Sequence, residues 1–364
     1  MSDNTTENQG GKLGILNIAF MYVGTIMGAG FASGREIWQF FGVFGSKGYI
    51  GILFIGLVFM LIGLMSSKIA KVLNTNDMGK LIVPGGNKAM TEFMGYFMAV
   101  ILFTVLISMS AAGGALFNQQ FGLSRVVGGF IITLLVIVTV IGGFDRVSGV
   151  FKYVMPVLMV VVVSSCLMVI FMDLPESGIE AEPTISPFTP NWFISAMVYI
   201  SYNVLGLVPI AGNAALNAKN DKIGTIGVVL GSSFLGMLAM ILGIALFSDP
   251  GFSQSMDMPM LAYSGIIAKP LNIIYTCVML FAIYATATSN FYGFTTKLKQ
   301  TKHKNMIIIV VALVGFTLGL MGFKNVIAYL FPIEGFIGFV ILGMLAVNYY
   351  NLAIKGNKDK AKTE

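Results

Sequence analysis

The chain has 364 residues, 56% of them hydrophobic and only 10% charged, with a mean hydropathy of +0.86. Soluble domains carry about 25% charged residues, so this composition excludes that class and specifies an integral membrane protein. The net charge of +6 resides in loop lysines between apolar stretches, which makes the lipid bilayer the expected partner and excludes nucleic acid.

Residues 1–11 form a polar tail without the basic start and short apolar core of a cleaved signal peptide, so the first apolar segment is expected to stay in the mature chain. A membrane span needs about 20 apolar residues. Ten such spans are predicted at 13–43, 48–73, 90–117, 126–143, 150–172, 191–216, 223–247, 270–296, 305–322 and 326–352, and a polar tail follows at 353–364. In the first span lies Gly24-Thr25-Ile26-Met27-Gly28-Ala29-Gly30-Phe31-Ala32-Ser33-Gly34-Arg35-Glu36. Each glycine costs a helix about 1 kcal/mol against alanine. Four of them in eleven positions, followed by two charges, predict a broken helix. Exposed backbone at membrane depth is tolerated only where it is buried in protein or binds something, so a solute or ion site is expected there.

Glu92 lies four residues from Lys88 near the start of span 3 and reads as an interfacial i,i+4 pair. The segment 173–190, rich in acids and prolines, reads as the hinge between two five-helix halves, about 12–172 and 191–352, within one transmembrane domain. Span 6 opens the second half and carries Ser201-Tyr202-Asn203-Val204-Leu205-Gly206-Leu207-Val208-Pro209. Glycine- and proline-interrupted spans at matching positions of two halves point to a transporter site. Five being odd, the halves form an inverted repeat. Glycines that serve only close helix packing are the alternative. Residues 258–269 are expected to form a re-entrant or interfacial helix before Pro270. Cys166 and Cys277 both lie in apolar runs, which argues against a disulfide framework, and His303 sits in a lysine-rich loop.

Alternate loops carry seventeen lysines and arginines on one side and four on the other, which predicts that both termini are cytoplasmic. No Ser/His or Cys/His pair, metal cluster or phosphate-binding loop lies within the spans, so no enzyme is expected.

Ten spans, both termini inside, and breaks in spans 1 and 6 resemble the LeuT-type fold of the amino acid–polyamine–organocation superfamily of secondary transporters. The run Gly28-Ala29-Gly30-Phe31-Ala32-Ser33-Gly34-Arg35-Glu36 is similar to YkvI-type bacterial membrane proteins. Sodium-coupled members of the fold carry an Ala-x-x-Thr-Ser pattern in helix 8, matched here by Ala285-Thr286-Ala287-Thr288-Ser289. The resemblance implies Na⁺ held by the carbonyls of Gly24, Met27 and Ala285 and the hydroxyls of Thr288 and Ser289. Ordinary packing hydroxyls bonded to their own helix are the alternative. The free amides at Gly28, Ala29 and Gly30 are expected to hold an anionic group, and carbonyls around Tyr202, Asn203 and Gly206 an amine. With no carboxylate at the break itself, a strongly cationic solute is not favoured. Related transporters close an outer gate with an arginine of helix 1 and an acid of helix 10, which implies an Arg35–Glu334 pair. Arg35 stands one residue beyond the family position, Glu36 has another partner, and Glu334 lies about 15 Å deep. An interfacial Arg35 and a buried, protonated Glu334 form the alternative.

The expected protein is an all-α, ten-helix secondary transporter of the plasma membrane, importing a small zwitterionic solute, an amino acid, by Na⁺ symport. Proton coupling through Glu36 or Glu334, and a membrane sensor or assembly protein, are the rival readings. The sequence does not fix the oligomeric state.

Overall fold

The computed structural model describes residues 13–142, 144–172, 174–180, 182–298 and 302–355, with side chains except at 144–152 and 353–355. The predicted tails lie outside these residues, apart from the backbone of 353–355.

Helix 1 comes in three pieces. α1 (Ile15–Ile26) ends at Met27, Gly28 is extended at φ −79° and ψ −177°, and α2 is a single turn, Ala29–Ala32. A second interruption, not anticipated, follows at Gly34, whose φ of 80° lies in the left-handed region that glycine alone enters cheaply. The Ser33 hydroxyl ties this corner, donating to the Gly30 carbonyl at 2.7 Å and accepting from the Arg35 amide at 3.2 Å. α3 (Arg35–Phe40) then completes the span.

The first half continues with α4 (Ser46–Leu73), short α5 (Met78–Ile82), α6 (Lys88–Phe121), α7 (Arg125–Gly142) and α8 (Phe144–Phe171). The second half holds α9 (Trp192–Asn217), α10 (Asp221–Phe247), two short helices α11 (Pro250–Ser255) and α12 (Pro259–Ile267), α13 (Lys269–Thr296) and α14 (Lys304–Gly319). It ends with α15 (Phe323–Asn325) and α16 (Phe331–Tyr349), joined by a wide helical turn at Val326–Leu330. Among the described residues eight helices are long and apolar enough to cross a membrane. Broken helix 1 and the 16-residue α14 occupy the positions of predicted spans 1 and 9. The chain is a multi-pass membrane protein, and α11 and α12 account for the short helix expected near 258–269.

Helix 6 corrects an expectation, because α9 runs unbroken through Gly206 and Pro209. Proline has no N–H, so Pro209 removes one hydrogen bond, the i+4 donor to the Leu205 carbonyl, without unwinding the packed helix. Pro332 acts similarly at the start of α16. The Ala328 carbonyl, four residues back, accepts instead from the Ser186 hydroxyl at 2.5 Å, within the widened turn.

Broken helix 1 is gripped by its neighbours. α1 packs on α9 and α10, and α4 packs on both of those. The buried Tyr22 hydroxyl donates to the Phe59 carbonyl of α4 at 2.6 Å. At one end Leu13 is clamped to the end of α9, donating to the Asn217 carbonyl and accepting from the Lys219 amide. α6 packs against α7, α13 and α14 as a second group, and α16 lies against α9. The helix 1 break therefore faces both groups.

Candidate functional site

A cavity of about 300 Å³ opens at the break, lined by Gly28, Ala29, Gly30, Tyr202, Asn203 and Gly206, the six residues expected from the sequence to meet the solute. It is also lined by residues not foreseen there, notably Glu36 of α3, Thr286 and Asn290 of α13, and Glu334 and Phe331 of α16.

Backbone geometry decides what the glycines offer. The Gly28 amide donates to the Ile26 carbonyl at 2.7 Å and is not free for an anion, because Met27, at φ −72° and ψ 64°, makes an inverse γ-turn that points the N–H back on α1. The carbonyls of Gly28 and Ala29 accept from Ala32 and Ser33, while the amides of Ala29, Gly30 and Phe31 have no acceptor among the described residues.

Over that turn lies the carboxylate of Glu36. A Cβ built on Gly30 would stand 2.7 Å from the Glu36 Cδ, so only the bare Cα of glycine admits the acid at this point. The Tyr202 hydroxyl donates to Glu36 Oε2 at 2.9 Å. Glu334 sits in the first turn of α16, and its Oε1 has no partner among the described residues. The two acids are 7% and 8% exposed. Small residues bring α16 close to α9. Ser201 donates to the Gly335 carbonyl at 2.6 Å, and a Cβ on Gly338 would meet the Ser201 backbone at 2.6 Å. Among the described residues no lysine, arginine or histidine lines the cavity. The expectation that no carboxylate sits at the break is thereby corrected. Glu36 is six residues from Gly30 in sequence, and the turn at Gly34 folds it back.

Arg35 faces elsewhere. Adjacent residues on a helix point about 100° apart, so with Glu36 on the cavity Arg35 turns toward α11. Its guanidinium donates to the carbonyls of Ser253, Gln254 and Met256 and to Gln39 Oε1. Lys324 also donates to the carbonyls of Gln254 and Ser255, at 2.9 and 2.6 Å, so two cations close the carbonyl end of α11. Arg35 and Glu334 do not pair in this structure, and the expected gate contact is absent.

The proposed ion ligands come from the end of α1 and from α13. Gly24 and Met27 face a narrow crevice against Met155, Pro156 and Met159 of α8. Ala285 and Thr288 are buried, Thr288 with its hydroxyl unpartnered, whereas Ser289 is exposed. Thr286, set on another face by the helical spacing, turns out to line the cavity. Thr286 and Asn290, four residues apart on a transmembrane helix, were the available signal for a second polar face of α13.

No protein-family profile matches the chain. Two proteins of Bacillus subtilis (strain 168) are similar over nearly their whole length. The uncharacterized membrane protein YkvI is 26% identical over 335 residues, covering 90% of this chain and 94% of that protein. The uncharacterized protein YyaD is 26% identical over 330 residues, covering 88% and 93%. Among solved structures, Mhp1 in an inward-facing conformation aligns with a TM-score of 0.57 at 14% identity, over 94% of this chain and 77% of Mhp1. MhsT in complex with L-phenylalanine gives 0.56 at 14% identity, over 90% and 87%. A manganese transporter from Eremococcus coleocola gives 0.55 at 11% identity, over 96% and 80%. With its helix 1 interrupted beside a central cavity, the chain has the LeuT-type fold shared by these structures.

Proposed function

We propose that this protein is a secondary active transporter, not an enzyme, that imports a small amine-bearing organic solute by Na⁺ symport with alternating access. The observation that carries the reading is the cavity at the helix 1 break, where Glu36 and Glu334 face a space of solute size. Those carboxylates and the Leu205 carbonyl supply the amine acceptors sought in helix 6. The L-phenylalanine held by MhsT is a solute of this general kind. A manganese substrate finds less support, because no three of His, Cys, Asp and Glu converge among the described residues.

Na⁺ coupling rests on Thr288, a buried hydroxyl without a partner on α13, the helix that packs on α2. The carbonyls of Gly24, Met27 and Ala285 would join it, without the exposed Ser289, if the rocking of alternating access brings α1 toward α13. Proton coupling is the second reading, favoured by two buried acids on one cavity. Uptake of radiolabelled amines and amino acids into proteoliposomes, with Na⁺ replaced by choline and with an imposed pH gradient, separates the two. Uptake that survives choline but collapses with the pH gradient replaces Na⁺ by H⁺. Absence of gradient-driven uptake of every solute tested removes the transporter reading.

A further inference from the structure

We infer that the solute seated at the helix 1 break is an organic ammonium that carries no carboxylate of its own, its cationic head lying between Glu36 and Glu334. This narrows, and rests on, the transporter reading above.

The two carboxylates reach the cavity from different elements and are both more than nine-tenths buried. Tyr202 holds Glu36 through Oε2, and Glu334 keeps Oε1 unpartnered. A buried polar atom without a partner is costly, and Glu334, which lines the cavity, satisfies its orphan oxygen when a turn of the side chain brings it to a donor that arrives with the ligand. The rings of Tyr202 and Phe331, 5.1 Å apart, stand on the same wall, and aromatic faces attract ammonium groups.

A solute carboxylate finds much less. The Gly28 amide is spent on Ile26, and the Glu36 carboxylate covers Gly30, whose amide, with those of Ala29 and Phe31, has no acceptor among the described residues. The side-chain amides of Asn203 and Asn290 each already donate one of their two N–H groups to their own helix, at Tyr199 and Thr286. Among the described residues no cationic side chain lines the cavity. Charge balance points the same way. With both acids ionised, an ammonium together with one co-transported cation neutralises them, whereas a zwitterion leaves one negative charge without a partner in a medium that penalises it. The remaining wall, with Met98, Leu102 and Met109, is apolar and suits an alkyl or aryl tail.

The test compares pairs that differ only in the carboxylate: phenethylamine with L-phenylalanine, isopentylamine with L-leucine, and cadaverine with L-lysine. Binding to the purified full-length chain is measured in saturating NaCl by thermal shift and calorimetry. At least one amine is expected to bind with an affinity at least about 100-fold above its amino acid, because like charges brought together cost several kcal/mol. Glu36→Gln and Glu334→Gln, each checked for retained monodispersity, should each weaken that binding at least about tenfold. Tighter or equal binding of the amino acid in every pair overturns the inference and leaves the transporter reading standing. Amine binding unchanged in both variants overturns the seat. Absence of binding by every member of the three pairs overturns the inference and the amine-transporter reading together.

Discussion

Adding one methyl group at Gly30 isolates the contribution of Glu36 without touching its side chain. The new Cβ would stand 2.7 Å from the Glu36 Cδ, well inside van der Waals contact, so the carboxylate has to leave its place. Its 2.9 Å hydrogen bond from Tyr202 goes with it. A hydrogen bond to a charged group contributes about 1.5–3 kcal/mol, which corresponds to roughly a 10- to 150-fold loss of affinity for an ammonium ligand. Stability should hardly suffer, since alanine favours the helical turn by up to about 1 kcal/mol over glycine. Gly28→Ala is the matched control. No heavy atom lies within 4 Å of its built Cβ, and φ of −79° suits alanine, so affinity should stay within about threefold of wild type. Phenethylamine affinity by calorimetry and Tm are to be read on the same preparations. Unchanged affinity in Gly30→Ala, or a larger loss in Gly28→Ala, would refute the placement of Glu36 as the seat.

Other substitutions address the remaining contacts. Tyr202→Phe keeps the ring and removes the donor to Glu36, so amine affinity should fall about tenfold with little change in Tm; an unaltered affinity would show that the hydroxyl does not hold the acid. Arg35→Met strips the donors from three carbonyls at the end of α11 and should cost about 2–4 kcal/mol of stability. Combined with Glu334→Gln its effect should be additive within about 0.5 kcal/mol, because the two side chains do not touch; strong coupling would restore the gate pair. Thr288→Val should abolish the Na⁺-dependent rise in Tm and Ser289→Ala leave it intact, and an equal Na⁺ response in Thr288→Val and wild type would dismiss the ion site. Asp249 caps α11 by accepting from the Phe252 amide, and its other oxygen accepts from the Ser177 amide. Burial raises its pKa, but those hydrogen bonds outweigh it and hold the carboxyl below its ordinary value. Its stabilisation is thus fully present above the unfolded value of about 3.9 and lost as pH falls through the lower folded one. Asp249→Ala should lower stability by about 1 kcal/mol at neutral pH and flatten that acid limb, which Tm against pH would reveal.

What the sequence disclosed and what it withheld follow from the range of the interactions involved. The break in helix 1 was legible because backbone preference is local, and four glycines in eleven residues defeat a helix whatever surrounds them. The same logic overshot at helix 6. One glycine and one proline remove little when Tyr199, Val204 and Val208 are packed on all sides, and tertiary burial keeps α9 straight enough to continue. The cavity itself was legible in six of its residues, all adjacent to those two signals. Its charge was not, because that depends on a single turn. Had Gly34 not taken a left-handed conformation, helix 1 would have continued regularly and Arg35 and Glu36 would point elsewhere. Glycine there reverses the assignment of the neighbouring pair, sending the arginine to the carbonyls of α11 and the acid to Tyr202. Glu334 reaches the same space only because Gly335 and Gly338 let α16 approach Ser201, a contact spanning more than 130 residues that no spacing pattern encodes. The break read from helix dipoles as an anion site thus received two carboxylates set by long-range packing, and the sign of the charge there is where the functional reading turns.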